Sequence, residues 1–335
     1  EPLVETDAYS ETPRGVILGA PNDFSPPKPR VDVVVVGSAY APRGKAGPRV
    51  TAYLTLGALE KGMELYAERY VGIDGQLQEG KPQVEFPLSY EHAGGGGDSQ
   101  NPVGRDGSRD QRGRVYLASI QPLAHHPSPP DYEIPAVGFG PIAPHWPARR
   151  TKLGRHQDAW SERWLETGLP EDFDPTFFQF APRDQQLDRL EPGATIVLEN
   201  LHPADERCVA RLPRYQARCF VEPQGRAITM IADSVIIDTK RLLVTVTYRC
   251  NLRASDHPDA RRALIVWDTP EQQLDREAVR ALDASTNEDG GLPFAKASGR
   301  PLAILTAPRT PPSHTGDPVP TPRPSQPSLA GTPFG

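Results

Sequence analysis

Proline occurs so often in this chain that it limits the folds open to it. The sequence has 39 prolines in 335 residues, a share well above the roughly 5% of average proteins. Because proline lacks an amide donor and interrupts helices, a helical bundle, a coiled coil and a helical repeat array are excluded. The longest proline-free stretches, residues 49–81 and 224–257, are long enough for strands and hairpins.

Hydrophobic patterning predicts a mainly β protein of the α+β type, with antiparallel, sandwich-like sheets. Residues 31–40 read VDVVVVGSAY, a β-branched run typical of a strand buried on both faces. Residues 242–248 are apolar at every second position on one face, which predicts a half-buried strand. Further strands are predicted at residues 50–56, 63–71, 84–90, 115–120, 195–198, 209–212, 218–221, 228–231 and 235–237.

Turns and helices are predicted between these strands. Residues 60–62 (Glu-Lys-Gly) are typical of a turn, and residues 238–240 of a hairpin connection. Short helices are expected near residues 158–167 and 271–284. Residues 92–114 contain seven glycines, which favours a long irregular loop because glycine loses much entropy on ordering.

The same pattern suggests a division of the chain. A loose polar segment at residues 1–13 precedes two β-rich halves, residues 14–145 and 146–306. Residues 307–335 are rich in proline and lack an apolar pattern, which predicts an extended, disordered tail.

Charge and cysteine content restrict the partners and the compartment. The formal net charge is −6, so no basic face is offered and nucleic acid is not an expected partner. The longest charge-free run within the body, residues 134–148, contains four prolines, so no membrane span is expected. The odd number of cysteines, Cys208, Cys219 and Cys250, forms no CxxC pair, which favours a reducing cytoplasm. The first residues are acidic, whereas a secretory signal peptide begins with basic residues.

Common catalytic and cofactor motifs are missing from the sequence. Gly44 and Lys45 lack the remaining residues of a phosphate-binding loop. Ser99 follows a run of four glycines, which lacks the rigid strand-to-helix setting of an activated serine. The histidines are scattered or, at residues 125–126, adjacent in an extended stretch. We therefore predict no cofactor and no metal ligand.

Asp172 and Asp174 form the most enzyme-like feature. Extended residues two apart are separated by about 6.6 Å, which overlaps the carboxylate separation of inverting glycosidases. Short acidic residues between prolines also cap turns and helices. Structural capping and a carbohydrate-active or other hydrolytic enzyme both stay open, and the surrounding tryptophans and phenylalanines fit either a core or a groove.

Five sequence blocks occur in a consistent order between Gly15 and Arg249. They are PNDFSPPKPRVDVVVVGSAYAP (21–42), NPVG (101–104), PAVGFGPIAPHWPAR (135–149), LPEDFDPTFFQFAPRDQQL (169–187) and DSVIIDTKRLLVTVTYR (233–249). Together they resemble the domain of unknown function 2169 family, whose members are encoded beside bacterial type VI secretion genes.

This resemblance implies a cytoplasmic, non-enzymatic adaptor or chaperone. Such a protein is expected to bind a toxic effector, a VgrG-type spike protein or a PAAR-type tip protein, for loading onto the secretion apparatus. The resemblance assigns no catalytic, cofactor-binding or metal-binding residue. It carries over ten motif positions without chemical roles: Asn101, Gly104, Trp146, Arg149, Trp160, Asp172, Phe173, Asp174, Gln185 and Gln186.

Deleting residues 307–335 is expected to leave the body folded. The predicted tail has no apolar pattern with which to join a core, so its loss removes no buried surface. Thermal unfolding of the shortened and full-length chains should show the same midpoint. A clearly lower midpoint for the shortened chain would contradict the assignment of this segment as a tail.

Overall fold

The computed structural model describes residues 4–123, 136–154, 171–222, 227–252, 262–270 and 305–306. It consists mainly of strands, as the sequence predicts. Within these residues the only α-helix is the single turn Pro147–Arg150 (α1), and no helix there is long and apolar enough to cross a membrane. The strands up to residue 122 are β1 (Ala8–Thr12), β2 (Gly15–Ala20), β3 (Val31–Val36), β4 (Ser38–Tyr40), β5 (Arg49–Leu56), β6 (Leu59–Tyr66), β7 (Arg69–Val71), β8 (Leu77–Glu79), β9 (Glu85–Pro87), β10 (Val115–Tyr116) and β11 (Ile120–Pro122). The later strands are β12 (Gln186–Leu187), β13 (Thr195–Glu199), β14 (Arg207–Arg211), β15 (Gln216–Glu222), β16 (Ala227–Thr229), β17 (Ile231–Asp238), β18 (Leu243–Arg249), β19 (Arg262–Asp268) and β20 (Leu305–Thr306).

Two sheets share the main hydrophobic core. One has the strand order β11-β6-β5-β13-β14, and the other β12-β3-β17-β18. Alternate residues of β5, including Leu54 and Leu56, are buried. They belong to one apolar cluster with Val33 and Val35 of β3 and Ile237 of β17. The period of two therefore places one face of each sheet against a shared core.

Strand β3 is buried on both faces, as its continuous apolar run predicts. Val33 and Val35 lie in the main core, whereas Val34 packs on the opposite side against Phe180 and Ala181. The strand also lies inside its sheet, because β12 pairs with it on one side and β17 pairs with it, in parallel, on the other.

Four smaller sheets complete the described structure. They pair β1 with β2 and β4 with β9, and they have the orders β10-β7-β8 and β16-β15-β19-β20. The last of these has its own apolar cluster around Ala217, Cys219 and Val221.

The single strand expected at residues 31–40 is interrupted at Gly37. This glycine has φ of +105°, and an added Cβ would lie 2.5 Å from Thr239 Oγ1. Thr239 is buried and its hydroxyl accepts a 2.8 Å hydrogen bond from Ser38 N. The close approach of the β17–β18 turn therefore ends β3 and redirects the chain into β4.

The turn expected at residues 60–62 is wrong. These residues lie in β6, and the β5–β6 hairpin turns instead at residues 57–58, where Gly57 has φ of +61°. The charge of Lys61 suggested an exposed turn, but its side chain points inward and is buried. Its Nζ donates to Gly138 O at 2.8 Å and contacts Asp184 Oδ1 at 2.9 Å.

Two sets of strand pairs connect segments that the sequence pattern divides, and the division itself stays a prediction. Strand β1 lies in the polar segment 1–13, which has no apolar pattern of its own. Its hydrogen bonds to β2 order this segment. Pairing of β13 with β5 and of β17 with β3 joins strands from both sides of residue 145. The helices expected at 158–167 and 271–284 and the tail at 307–335 lie outside the described residues.

Gly37→Ala is expected to destabilise the fold by about 3 kcal/mol, from backbone strain and the clash with Thr239. Gly57→Ala is the matched control, since Gly57 also has positive φ but no atom lies within 4 Å of an added Cβ. It should cost only about 1–2 kcal/mol. Urea unfolding measures both free energies, and equal losses would contradict the close approach at Gly37.

Candidate functional site

The motif residues Asn101 and Gly104 organise the glycine-rich loop. Asn101 is buried, and its Nδ2 donates to Tyr90 O at 2.9 Å and to Gly94 O at 3.0 Å. An added Cβ on Gly104 would lie 2.5 Å from that same Nδ2 and 2.7 Å from Gly94 O. The two residues thus fix the loop from inside, and they serve the scaffold.

Trp146 and Arg149 connect the loop to a later part of the chain. Trp146 is fully buried, with its ring edge-on to Tyr90 at 5.2 Å between centroids. Arg149 Nε donates to Phe177 O and its guanidinium also donates to Ile142 O, both at 2.8 Å. Burial lowers the pKa of Arg149 to about 10, so the guanidinium stays charged at neutral pH and bridges these two carbonyls.

Asp174, one member of the acidic pair, caps a turn. Asp174 accepts a 2.8 Å hydrogen bond from Thr176 N at the start of a short 3-10 turn, Pro175–Phe178. Partial burial raises the pKa of Asp174, but the hydrogen bonds from Thr176 outweigh it and the pKa lies below its ordinary value. A general acid needs the opposite shift. Asp172 is exposed, and the ring of Phe173 packs against Phe177 and Phe178.

Gln185 and Gln186 hold backbone segments together. Gln185 is fully buried, and its Nε2 donates to Val33 O at 2.7 Å and to Phe139 O at 2.9 Å. Gln186 Nε2 donates to Ala181 O at 2.9 Å. Trp160, the remaining motif position, lies outside the described residues.

A buried charged network, which the motif analysis missed, centres on Asp32 of β3. Its carboxylate accepts hydrogen bonds from Lys28 Nζ (2.8 Å), Gln179 Nε2 (2.6 Å), Phe180 N (2.9 Å) and Ala181 N (3.1 Å). Both Asp32 and Lys28 have side chains with at most 1% exposure. The signal in the sequence was the single acidic residue inside the valine run of β3.

A second buried pair extends this network across β17 to β18. Lys28 Nζ donates to Ser234 Oγ at 2.7 Å, and the neighbouring Asp233 pairs with Arg249 of β18. Arg249 also donates to Asp23 O at 2.8 Å. Burial lowers the pKa of Lys28, and the nearby carboxylates oppose that shift. The carboxylate of Asp23, which is 17% exposed, also lies 3.6 Å from Arg249. The two buried cations thus face two buried carboxylates and a third at the margin of the network, so each buried charge has a partner of opposite sign.

An open groove of about 480 Å³ lies away from the motif residues, and residues of the six strands β14 to β19 line it. Its aromatic wall consists of Tyr215, Tyr248 and Trp267, with Trp267 edge-on to Tyr248 at 4.9 Å between centroids. Ile231 also lines the groove and is 62% exposed. Arg211 lies at its rim. The other lining residues are Arg189, Leu190, Glu191, Pro192, Ala210, Leu212, Pro213, Gln216, Thr229, Met230, Ala232, Val244 and Val246.

The groove is the candidate functional site, because it combines accessible apolar surface with a polar rim. Its size suits several side chains of a bound molecule. The sequence contained one signal for it: the alternating face of β18 that carries Val244, Val246 and Tyr248 forms part of the wall. Tyr215 lies just before β15, and Trp267 lies in β19. The pairing of these two strands brings both residues to the site.

Asp32→Asn is expected to destabilise the protein by about 3–5 kcal/mol, because it leaves Lys28 as an uncompensated buried charge. Asp174→Asn is the matched control and should change stability by less than about 0.5 kcal/mol, since asparagine caps as well as aspartate. The free energies of unfolding in urea check both values. Similar losses for the two variants would show that the Asp32 network does not carry the stability assigned to it.

Comparison with known proteins identifies a family. A family model described as uncharacterized protein conserved in bacteria (DUF2169) matches residues 1–249 of the 335. No curated protein and no solved structure matches the chain. The matched region contains all the motif positions and the buried network, and it ends before Trp267 of the groove. Because the match covers well over half of its residues, the chain belongs to the DUF2169 family.

Proposed function

We propose that this protein is a cytoplasmic accessory adaptor or chaperone of type VI secretion. It binds a toxic effector, a VgrG-type spike protein or a PAAR-type tip protein and holds it for loading. The observation that carries this proposal is the aromatic, partly exposed groove, in which Ile231 and Trp267 offer apolar contact area to a polypeptide.

The distribution of the motif residues supports this proposal. Of the nine motif positions that the structure describes, none lines the groove. Asn101, Trp146, Arg149 and Gln185 instead form internal contacts in the scaffold. A shared scaffold with a separate groove is the arrangement expected of adaptors that serve different clients, since the contact surface can vary without loss of the fold.

The groove also has the composition of a protein-binding surface. Aromatic side chains supply large contact areas at low entropic cost, and three of them stand together here as Tyr215, Tyr248 and Trp267. Pro192 and Pro213 lie on its margin, and they restrict the backbone before a partner arrives.

Ile231→Glu is expected to weaken client capture by roughly tenfold or more, because it places a charge in the apolar groove. Ile73→Glu is the matched control, because Ile73 is 84% exposed and lies outside the groove. Tagged full-length chains expressed in the native bacterium would be purified, and effector, spike and tip proteins of the same gene cluster quantified by mass spectrometry.

The results separate the groove from the function as a whole. Loss of an identified effector, spike or tip protein in Ile231→Glu alone supports the proposal. Equal capture by both variants would remove the groove as the docking surface. Failure of the unmodified protein to retain any effector, spike or tip protein of its cluster would overturn the adaptor function.

A further inference from the structure

The five-stranded sheet of the main core ends in an exposed edge strand beside the groove. Strand β14 pairs with β13 in regular register over all five of its residues, and it is the last strand of its sheet. It contains no proline and no bulge. Edge strands with these properties present a row of backbone groups to which a further strand can bind.

The hydrogen-bonding phase of β14 shows which residues face outward. Leu212 N donates to Ala194 O at 2.9 Å, and Asn200 N donates to Glu206 O at 2.8 Å. Because antiparallel pairs alternate, the even-numbered residues of β14 bond to β13. The backbone groups of Arg207, Val209 and Arg211 therefore point away from the sheet, and within the described part of the chain they have no backbone partner.

The side chains of the same three residues lie on the solvent face. Cys208 and Ala210 pack against the core, whereas Val209 is 54% exposed. Arg207 lies 3.6 Å from Glu199 across the strand pair. Arg211 Nε donates to Gly193 O at 3.3 Å, and no carboxylate within the described ranges forms an ion pair with it. The edge thus presents an arginine, a valine and an arginine at every second position.

This charge pattern disfavours a second copy of the chain. If two β14 strands paired antiparallel about Val209, each Arg207 would stand opposite an Arg211, and like charges directly opposite are destabilising. An extended segment with acidic residues opposite both arginines and an apolar residue opposite Val209 would be matched at all three positions.

We propose that β14 is a strand-addition site for an extended client segment in which two acidic residues flank an apolar one at every second position. The segment would continue the five-stranded sheet. Its acidic and central apolar side chains would lie on the face of Arg207, Val209 and Arg211, and the side chains between them on the face of Ala210. Ala210 and Arg211 also line the groove. This inference rests on the proposed adaptor function, since it names the form in which a client docks.

The probe is a capped synthetic peptide with the central order glutamate, leucine, valine, leucine, glutamate, and its counterpart has lysine for both glutamates. Binding to the full-length chain is measured by calorimetry. Hydrogen exchange should slow at the outward amides of Arg207, Val209 and Arg211 when the glutamate peptide binds. The lysine peptide should bind at least about tenfold more weakly, because it meets the arginines with like charge.

Val209→Pro tests the backbone contact. It removes an amide that points outward, so the bonds to β13 stay intact, and proline is tolerated at such edge positions. It should weaken peptide binding by roughly tenfold or more. Leu77→Pro is the matched control. Leu77 is 52% exposed and lies on the edge strand β8, where the neighbouring bonds of Gly72 N and Gly80 N place its backbone groups outward in the same way.

Arg211→Glu tests the charge, with Arg49→Glu as its control on the outer face of β5. Arg49 is exposed and lies 3.8 Å from Glu64. Both variants replace an exposed arginine by glutamate, so they change the net charge equally. Only Arg211→Glu should weaken binding of the glutamate peptide.

Four results with the peptides would overturn the strand-addition site. They are no binding of the glutamate peptide, equal binding of the lysine peptide, unchanged binding by Val209→Pro, and unchanged binding by Arg211→Glu. A test of client capture separates this site from the adaptor function. If Val209→Pro still captures its effector, spike or tip protein, the adaptor function stands and the site inference falls. If the unmodified chain captures none of these proteins but binds the peptide at this edge, the adaptor function falls instead.

Discussion

The carboxylate of Asp32 is the contact on which most of the interior depends. It lies in a strand that is buried on both faces, and four donors from two parts of the chain converge on it: Lys28, and Gln179 with the amides of Phe180 and Ala181. An isolated carboxylate at such a place would be prohibitively costly. Its partners must therefore stay in position in the folded sheet, and through Lys28 they tie the segment around residue 180 and β3 to Ser234 of β17.

The sequence predicted those parts of the fold that depend on local pattern. The valine run of β3 has the burial that its residues imply. Strand β18 forms where the alternation predicts a strand, but its burial does not alternate, because residues 243–248 are all half-buried and Arg249 is buried. The break at Gly37 depends on Thr239, about 200 residues away, and no local pattern contains that contact. The same reason explains Lys61, whose charge suggests a turn but whose partners, Gly138 and Asp184, become neighbours only in the folded chain.

The candidate site was predictable only in fragments. The face of β18 that reaches Tyr248 could be identified, but the groove also needs Trp267, which comes into place because β19 pairs with β15. The motif residues suggested a site in another part of the chain, because tryptophan, arginine and paired aspartates are common in functional sites. In the structure Trp146, Arg149 and Asp174 are used for packing, bridging and capping. These three motif positions therefore serve the scaffold.

The adjacency of groove and edge strand has an energetic consequence. Each backbone hydrogen bond at an edge contributes only about 0.5–1.5 kcal/mol net, and an edge of three outward residues, Arg207 to Arg211, offers few of them. Strand addition alone would thus give weak binding that tolerates many sequences. Tight binding requires apolar burial in addition, and Arg211 belongs to both the edge and the groove rim. In the proposed arrangement, backbone contacts at the edge and side-chain contacts in the groove would together hold a client that is selected by its pattern and still released, because neither contact would be strong by itself.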